Sequence, residues 1–136
     1  MSLNKATHQL TKIHNRDLVL KTIFDHATIS RAEVARLTKL TRATVSDIVA
    51  NLIAEGLVEE VGFGSSIGGK SPILLSLVAD SRYMAGLNLA QDRFIGAVVN
   101  LRGEIKELVE FPVHDRNGDQ ALQLVYQILD RLTASP

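Results

Sequence analysis

Within seven consecutive positions, Thr41-Arg42-Ala43-Thr44-Val45-Ser46-Asp47, the chain gathers one arginine, three hydroxyls and a small residue. At the start of a helix such a run suits nucleic-acid recognition rather than bond making. Arginine can bridge two acceptors on a guanine edge, and hydroxyls can donate to phosphate oxygens beside the positive end of the helix dipole. Small side chains (Ala43, Ser46, Ala50) let the backbone approach the bases. Asp47 is the odd member, because a carboxylate meets phosphate repulsion unless it accepts from a cytosine amino group. A second group, Gly68-Gly69-Lys70-Ser71-Pro72, offers glycines for close backbone approach and Lys70 for a phosphate or a narrow minor groove. It is not expected to be a nucleotide phosphate loop, on the reading that the spacing lacks the upstream glycine and that Pro72 and an apolar strand follow where a helix is required. With no cysteine and four scattered histidines, no catalytic residue, metal ligand or cofactor site is expected.

Helices must position these groups. From Asn15, a candidate N-cap, Leu18, Val19, Ile23 and Phe24 recur at helical spacing and predict a first helix over about 15–26. The stretch before it, with Lys5 and Lys12, reads as either a further short helix or an arm. Ser30-Arg31-Ala32-Glu33 is a capping box, in which the Ser30 hydroxyl accepts from the Glu33 amide and the Glu33 carboxylate reaches back to the Ser30 amide. The second helix then runs through Val34, Ala35 and Leu37 to Thr38. Lys39-Leu40 bridges to Thr41, the N-cap of a third helix over 42–54 that ends at Gly56. Its face of Val45, Ile48, Val49 and Leu52 is predicted buried, and Ala43, Ser46, Asp47 and Ala50 lie opposite.

Helix, tight turn and helix, followed by a β-hairpin, is the layout of a winged helix-turn-helix. Ala35 supplies the small residue where the two helices cross, and Leu40, Val45 and Ile48 would plug their shared core. Lys39 stands where such turns commonly use glycine. The hairpin strands are expected near 57–61 and 73–77, with a wing over 62–72, and Glu59-Glu60 as a solvated strand edge. Beyond Asp80 the pattern predicts strands at about 83–89, 94–101 and 105–111. A helix over about 119–133 follows, with Leu122, Val125, Ile128, Leu129 and Leu132 inward.

The 136 residues are 46% hydrophobic and 22% charged, which excludes disorder as the dominant state. The longest uncharged apolar-rich stretch, 71–79, falls short of the ~18 residues of a membrane span, and no secretory pattern opens the chain. A cytoplasmic, nucleoid-associated protein without a membrane partner is expected. Residues 1–50 hold eight basic and four acidic side chains, whereas 51–136 hold seven and eleven. The basic front half fits a polyanion partner. Lys12, Arg16, Lys39, Arg42 and Lys70 are the cations expected to approach phosphates.

The segments Asn15 to Leu20, Ile29 to Ala35, Leu40 to Ser46, Leu52 to Val58 and Gly68 to Pro72 resemble the N-terminal part of ROK-family transcriptional regulators, the group of xylose and N-acetylglucosamine repressors. The resemblance implies an α+β chain, with a winged helix-turn-helix over 1–80 and the β-β-β-α start of an actin- or sugar-kinase-like (ribonuclease H-like) domain over 81–136. It implies a sequence-specific regulator, most often a repressor, of sugar-metabolism genes. The implied partners are a double-stranded operator, a second copy of the chain and, only in a full-length protein, a sugar effector. The DNA-binding set is then Lys39, Thr41, Arg42, Ala43, Thr44, Ser46, Asp47, Gly69 and Lys70. Kinases of the family carry Asp-x-Gly-Gly-Thr where this chain has Asn88, Ala90, Gln91 and Asp92, so a plain hairpin without nucleotide binding is expected. The chain stops after one helix of that domain, which implies a fragment or a truncated product. The competing readings are a truncated sugar kinase and a winged-helix protein-interaction module.

Overall fold

The computed structural model describes residues 2–66 and 68–134, which fall into two compact units, Met1–Val78 and Ala79–Pro136. The first contains α1 (Ser2–Phe24), β1 (Ile29–Ser30), α2 (Arg31–Thr38), α3 (Arg42–Ala54), β2 (Val58–Phe63) and β3 (Ile73–Leu77). Its sheet is antiparallel with order β1-β3-β2, Ile29 facing Leu75 and Val58 facing Leu77. Val19, Ile23, Val34, Val45, Val49, Leu52 and Leu75 are fully buried, so α1, α2, α3 and β3 share one core.

Three expectations are corrected in this unit. The first helix does not begin at Asn15, because no glycine or proline interrupts residues 2–24 and α1 is continuous through Asn15. β1 was not foreseen, since two residues carry no readable alternation; it adds a third strand to the expected hairpin. Gly62 and Phe63 belong to β2 rather than the wing, for the ladder absorbs an irregularity between Glu60 and Gly62, and Gly62 takes φ 144° there. The connecting loop is therefore 64–72, closed by the Gly64 amide donating to the Pro72 carbonyl at 2.8 Å. Ile67, placed in the wing by the sequence, lies outside the described residues.

Local signals explain the boundaries around α2 and α3. The Ser30 hydroxyl accepts from the Glu33 amide at 3.2 Å. The return half of the capping box is not made, because Arg36 takes the Glu33 carboxylate through both Nε (2.8 Å) and Nη2. That hydrogen-bonded pair holds the Glu33 carboxyl below its usual range. Lys39 closes α2 in the left-handed region (φ 59°, ψ 21°), the conformation for which glycine is the usual choice. At the far end of α3 the Gly56 amide donates to Ile53 at 2.9 Å and the Leu57 amide to Leu52 at 3.0 Å. With Gly56 at φ 74° this is a Schellman stop.

The second unit opens with a 3₁₀ turn at Ala79–Ser81 and continues through β4 (Tyr83–Leu89), β5 (Arg93–Asn100), β6 (Ile105–Pro112) and α4 (Gly118–Ala134). Its sheet is antiparallel, β4-β5-β6. α4 packs on β5 and β6 through Leu124, Ile128 and Leu132 against Phe94, Val109 and Val113. The contact is close at Gly96, where a Cβ would stand 2.3 Å from Ile128 Cγ2. Leu122, expected inward, is 47% exposed; Leu124, two residues on and about 200° round the helix, fills that role. Asn100 is fully buried at the β5–β6 turn. Its amide donates to Asp80 (2.8 Å) and Glu104 (2.7 Å), and its carbonyl accepts from the amides of Arg102 and Glu104 (3.0 Å each). The stretch carrying Asn88, Ala90, Gln91 and Asp92 is the β4–β5 hairpin, with the Ala90 amide on the Arg93 carbonyl at 3.0 Å.

Candidate nucleic-acid interface

α3 is held by its buried edge and presents the other. Val45, Val49 and Leu52 enter the core, while Arg42, Ala43, Ser46, Asp47 and Ala50 are exposed together. That exposed set follows from the helical period once Val45 and Val49 are fixed inside. Ile48 and Leu40, expected as core plugs, are only half-buried, Ile48 lining a groove against α1. Ala35, at the α2–α3 crossing, is buried as the small residue there requires.

At the leading end the Thr41 hydroxyl caps α3 by accepting from the Thr44 amide at 3.2 Å, and its own proton goes to the Thr44 oxygen at 2.9 Å. Thr41 is thus committed to the cap. The donor free to reach outward is the Thr44 hydroxyl, polarised by the proton it receives. Arg42 stands at the first helical position and is exposed, where its fork extends the positive end of the dipole. Lys39 is exposed one turn upstream and is carried there by its left-handed backbone.

Gly69 and Lys70 stand on a different element, the exposed loop between β2 and β3. Gly68 and Gly69 adopt φ 65° and 135°, and the Ser66 hydroxyl donates to the Gly69 carbonyl, so the loop doubles back through conformations that favour glycine. The expectation that the upstream glycine is lacking is corrected: by spacing alone, Gly64 with Gly69-Lys70-Ser71 fits a phosphate-loop pattern. The context removes that reading, since β3 follows Ser71 and the loop joins two antiparallel strands.

One further feature was not legible in the sequence. A groove runs between α1 and α3, lined by Lys12, Ile13 and Arg16 on one wall and Thr44, Asp47 and Ile48 on the other. It is closed at one end by Arg16, which forks onto Glu55 with Nη1 at 3.1 Å and Nη2 at 2.6 Å. Arg16 was expected among the phosphate contacts; its guanidinium is instead bound to a carboxylate 39 positions away. Among the described residues, no cluster of His, Asp and Glu could hold a metal ion, and no helix is long and apolar enough to cross a membrane.

Helix, turn, recognition helix and β-hairpin in this order define a winged helix-turn-helix, and residues 15–59 match the winged helix-turn-helix DNA-binding family. The chain is 35% identical over 128 residues to the xylose repressor of Caldicellulosiruptor bescii, covering 93% of this chain and 32% of that protein. It is 30% identical over 135 residues to the xylose repressor of Bacillus spizizenii, covering 96% and 35%. In fold it resembles a crystal structure of a ROK-family transcriptional regulator, homologous to the Escherichia coli MLC protein. That match has a TM-score of 0.67 and 20% identity, over 92% of this chain and 32% of the other. The chain is thus similar in sequence to xylose repressors and in fold to a ROK-family regulator, and it spans about a third of the length of the curated relatives it matches.

Proposed function

We propose that this chain binds duplex DNA sequence-specifically and acts as a repressor of sugar-metabolism genes, with α3 in the major groove and the 62–72 region on the backbone or in the minor groove. The observation that carries the reading is the exposed face of α3. It joins the exposed Arg42 and the hydroxyl of Thr44, itself half-buried on the groove wall, at the dipole's positive end to the exposed Ala43, Ser46 and Ala50, which are small enough for close approach. Arg42 reads a base edge, Thr44 and Ser46 take phosphate oxygens, and Asp47 accepts from a cytosine amino group. Lys39, Gly69 and Lys70 meet the backbone, while Thr41 holds the helix end. The names of the relatives support a sugar-responsive role, and sensing belongs to a longer chain than the one described. A recognition helix of 13 residues covers only a few base pairs, so a homo-oligomer on a two-fold symmetric operator is the working form. No enzymatic activity is assigned, because Ala90, Gln91 and Asp92 place side chains and a charge where a phosphate loop needs glycines and a hydroxyl.

Electrophoretic mobility shift over a range of salt tests this. Each phosphate contact adds about −0.9 to the log–log salt slope, and a slope near zero would remove the interface. Arg42→Ala should cost about 1–3 kcal/mol and relax preference at one base position, whereas Lys70→Ala should weaken all sequences evenly. Equal effects of both changes on every sequence would take the reading role from Arg42.

A further inference from the structure

Upstream of Asn15, α1 leaves its own body, and residues 5–14 are all exposed. Lys5, His8 and Lys12 recur at intervals of three and four and so share one helix face. Continued at the same spacing, that face reaches Arg16, clasped to Glu55, and then Val19 and Ile23, both fully buried. The surface that packs on the core lower down therefore becomes a basic ridge above it. No acidic residue precedes Asp17 in the chain, and the first turn of α1 carries none to offset the dipole's positive end. Lys12 also lines the groove whose other wall holds Thr44 and Asp47. The ridge thus runs into the flank of the helix assigned to base reading.

We propose that the ridge of Lys5, His8 and Lys12 is a second DNA contact, binding phosphate oxygens of the backbone that flanks the base pairs read by α3. The inference rests on the DNA-binding reading above and adds an element outside the winged helix proper. Lys5 and Lys12 are separated by ~10 Å along the helix axis, enough to engage different phosphates. Lys12 brings a positive charge to the groove that Asp47 shares, easing the repulsion that a carboxylate on α3 would otherwise feel near the backbone. A stripe of Leu10 and Ile13, 66% and 49% exposed, flanks the ridge, with Ile13 beside Lys12 on the groove wall. That stripe is short and meets Asp17, so it does not compete as the principal surface.

The test uses the whole chain, Lys5→Ala/Lys12→Ala and random-sequence duplex DNA at 50 to 200 mM salt, followed by the preferred sequence once selected. Alanine favours helix more than lysine does, so α1 persists, and far-ultraviolet circular dichroism checks it. The expected result is a salt slope less steep by about 1.8, so that the affinity lost across this range is about 12-fold smaller than for the wild type, with base preference unchanged. An unchanged slope with intact helix content overturns the ridge as a DNA contact. An unchanged slope with a shift toward monomer in sedimentation does so as well, and assigns the segment to a second copy of the chain. If the wild type itself shows no salt-dependent binding, the DNA-binding reading fails and the ridge fails with it; if wild-type binding is steep and Arg42→Ala relaxes specificity, only the ridge is in question.

Discussion

In the unit Met1–Val78 the apolar side chains of three helices and β3 meet in one closed core, and the outward face of α3 is left small, polar and positively led. In the unit Ala79–Pro136 every residue of β4 is exposed, with Tyr83, Met84, Leu87 and Leu89 from 38% to 55% accessible. α4 covers β5 and β6 but packs little on β4. The two small assemblies thus differ in what they present. The first closes a core behind α3, whose outward face shows hydrogen-bond donors; the second keeps apolar groups on an uncharged edge strand, of the kind that natural proteins usually protect with charge. Exposure of polar groups around a finished core marks a surface made for a polar partner. Exposure of apolar groups on a sheet edge says nothing about DNA.

The largest test of this contrast is Leu52→Ala. Removing a fully buried leucine from the back of α3 should cost about 2–5 kcal/mol and abolish DNA binding. Hydrogen exchange should lose protection across 2–78 while 79–134 keep theirs. Protection lost everywhere at once would make the two units one cooperative body. Gly96→Ala is the mirror experiment: the new Cβ would lie 2.3 Å from Ile128 and 2.9 Å from Leu132, an overpacking worth about 1–3 kcal/mol. It should loosen α4 and leave DNA affinity alone.

Lys39→Gly sharpens the comparison within the first unit. Relief of the left-handed backbone should stabilise the turn by about 1 kcal/mol, while loss of the charge should flatten the salt slope by about 0.9. A more stable protein that binds less steeply would separate the turn's folding role from its phosphate role. The smallest effect is expected at Asp80. The hydrogen bond from Asn100, then that from Lys106, holds its carboxyl below the usual range and raises the Lys106 ammonium above its own. A lowered carboxylate value stabilises the fold above the unfolded-state value, and that contribution is lost as pH falls through the folded one. Asp80→Asn should therefore slightly flatten the acid limb of thermal stability between about pH 5 and pH 2. The change is small because Asp80 is half-exposed and screened.

The sequence was most legible where the determinants are local. Ser30, Thr41 and Gly56 each act within three residues, so the bounds of α2 and α3 could be read directly, and the face of α3 follows from its period. The candidate residues Arg42, Ala43, Ser46 and Asp47 were found exposed for the same reason. What escaped depends on distant partners. Asn15 has the chemistry of a cap, yet nothing upstream stops the helix, so it sits inside α1. β1 exists only because Ile29 and Ser30 have β3 beside them. The clasp between Arg16 and Glu55 spans 39 positions, and no spacing rule announces it. Leu122 and Leu124 are equally apolar, and only the placement of the sheet decides which is covered.

That clasp has a mechanical consequence. A helix released from its body at residue 16 is a lever whose tip, at Lys5, stands ~16 Å from the fulcrum. A tilt of ~10° at the ion pair sweeps the tip by ~3 Å, about the length of one hydrogen bond. The two parallel contacts of the guanidinium fork resist such rotation better than a single-point ammonium could. Arg16→Lys would keep the charge and surrender the angle, blurring where the tip arrives without changing what it carries.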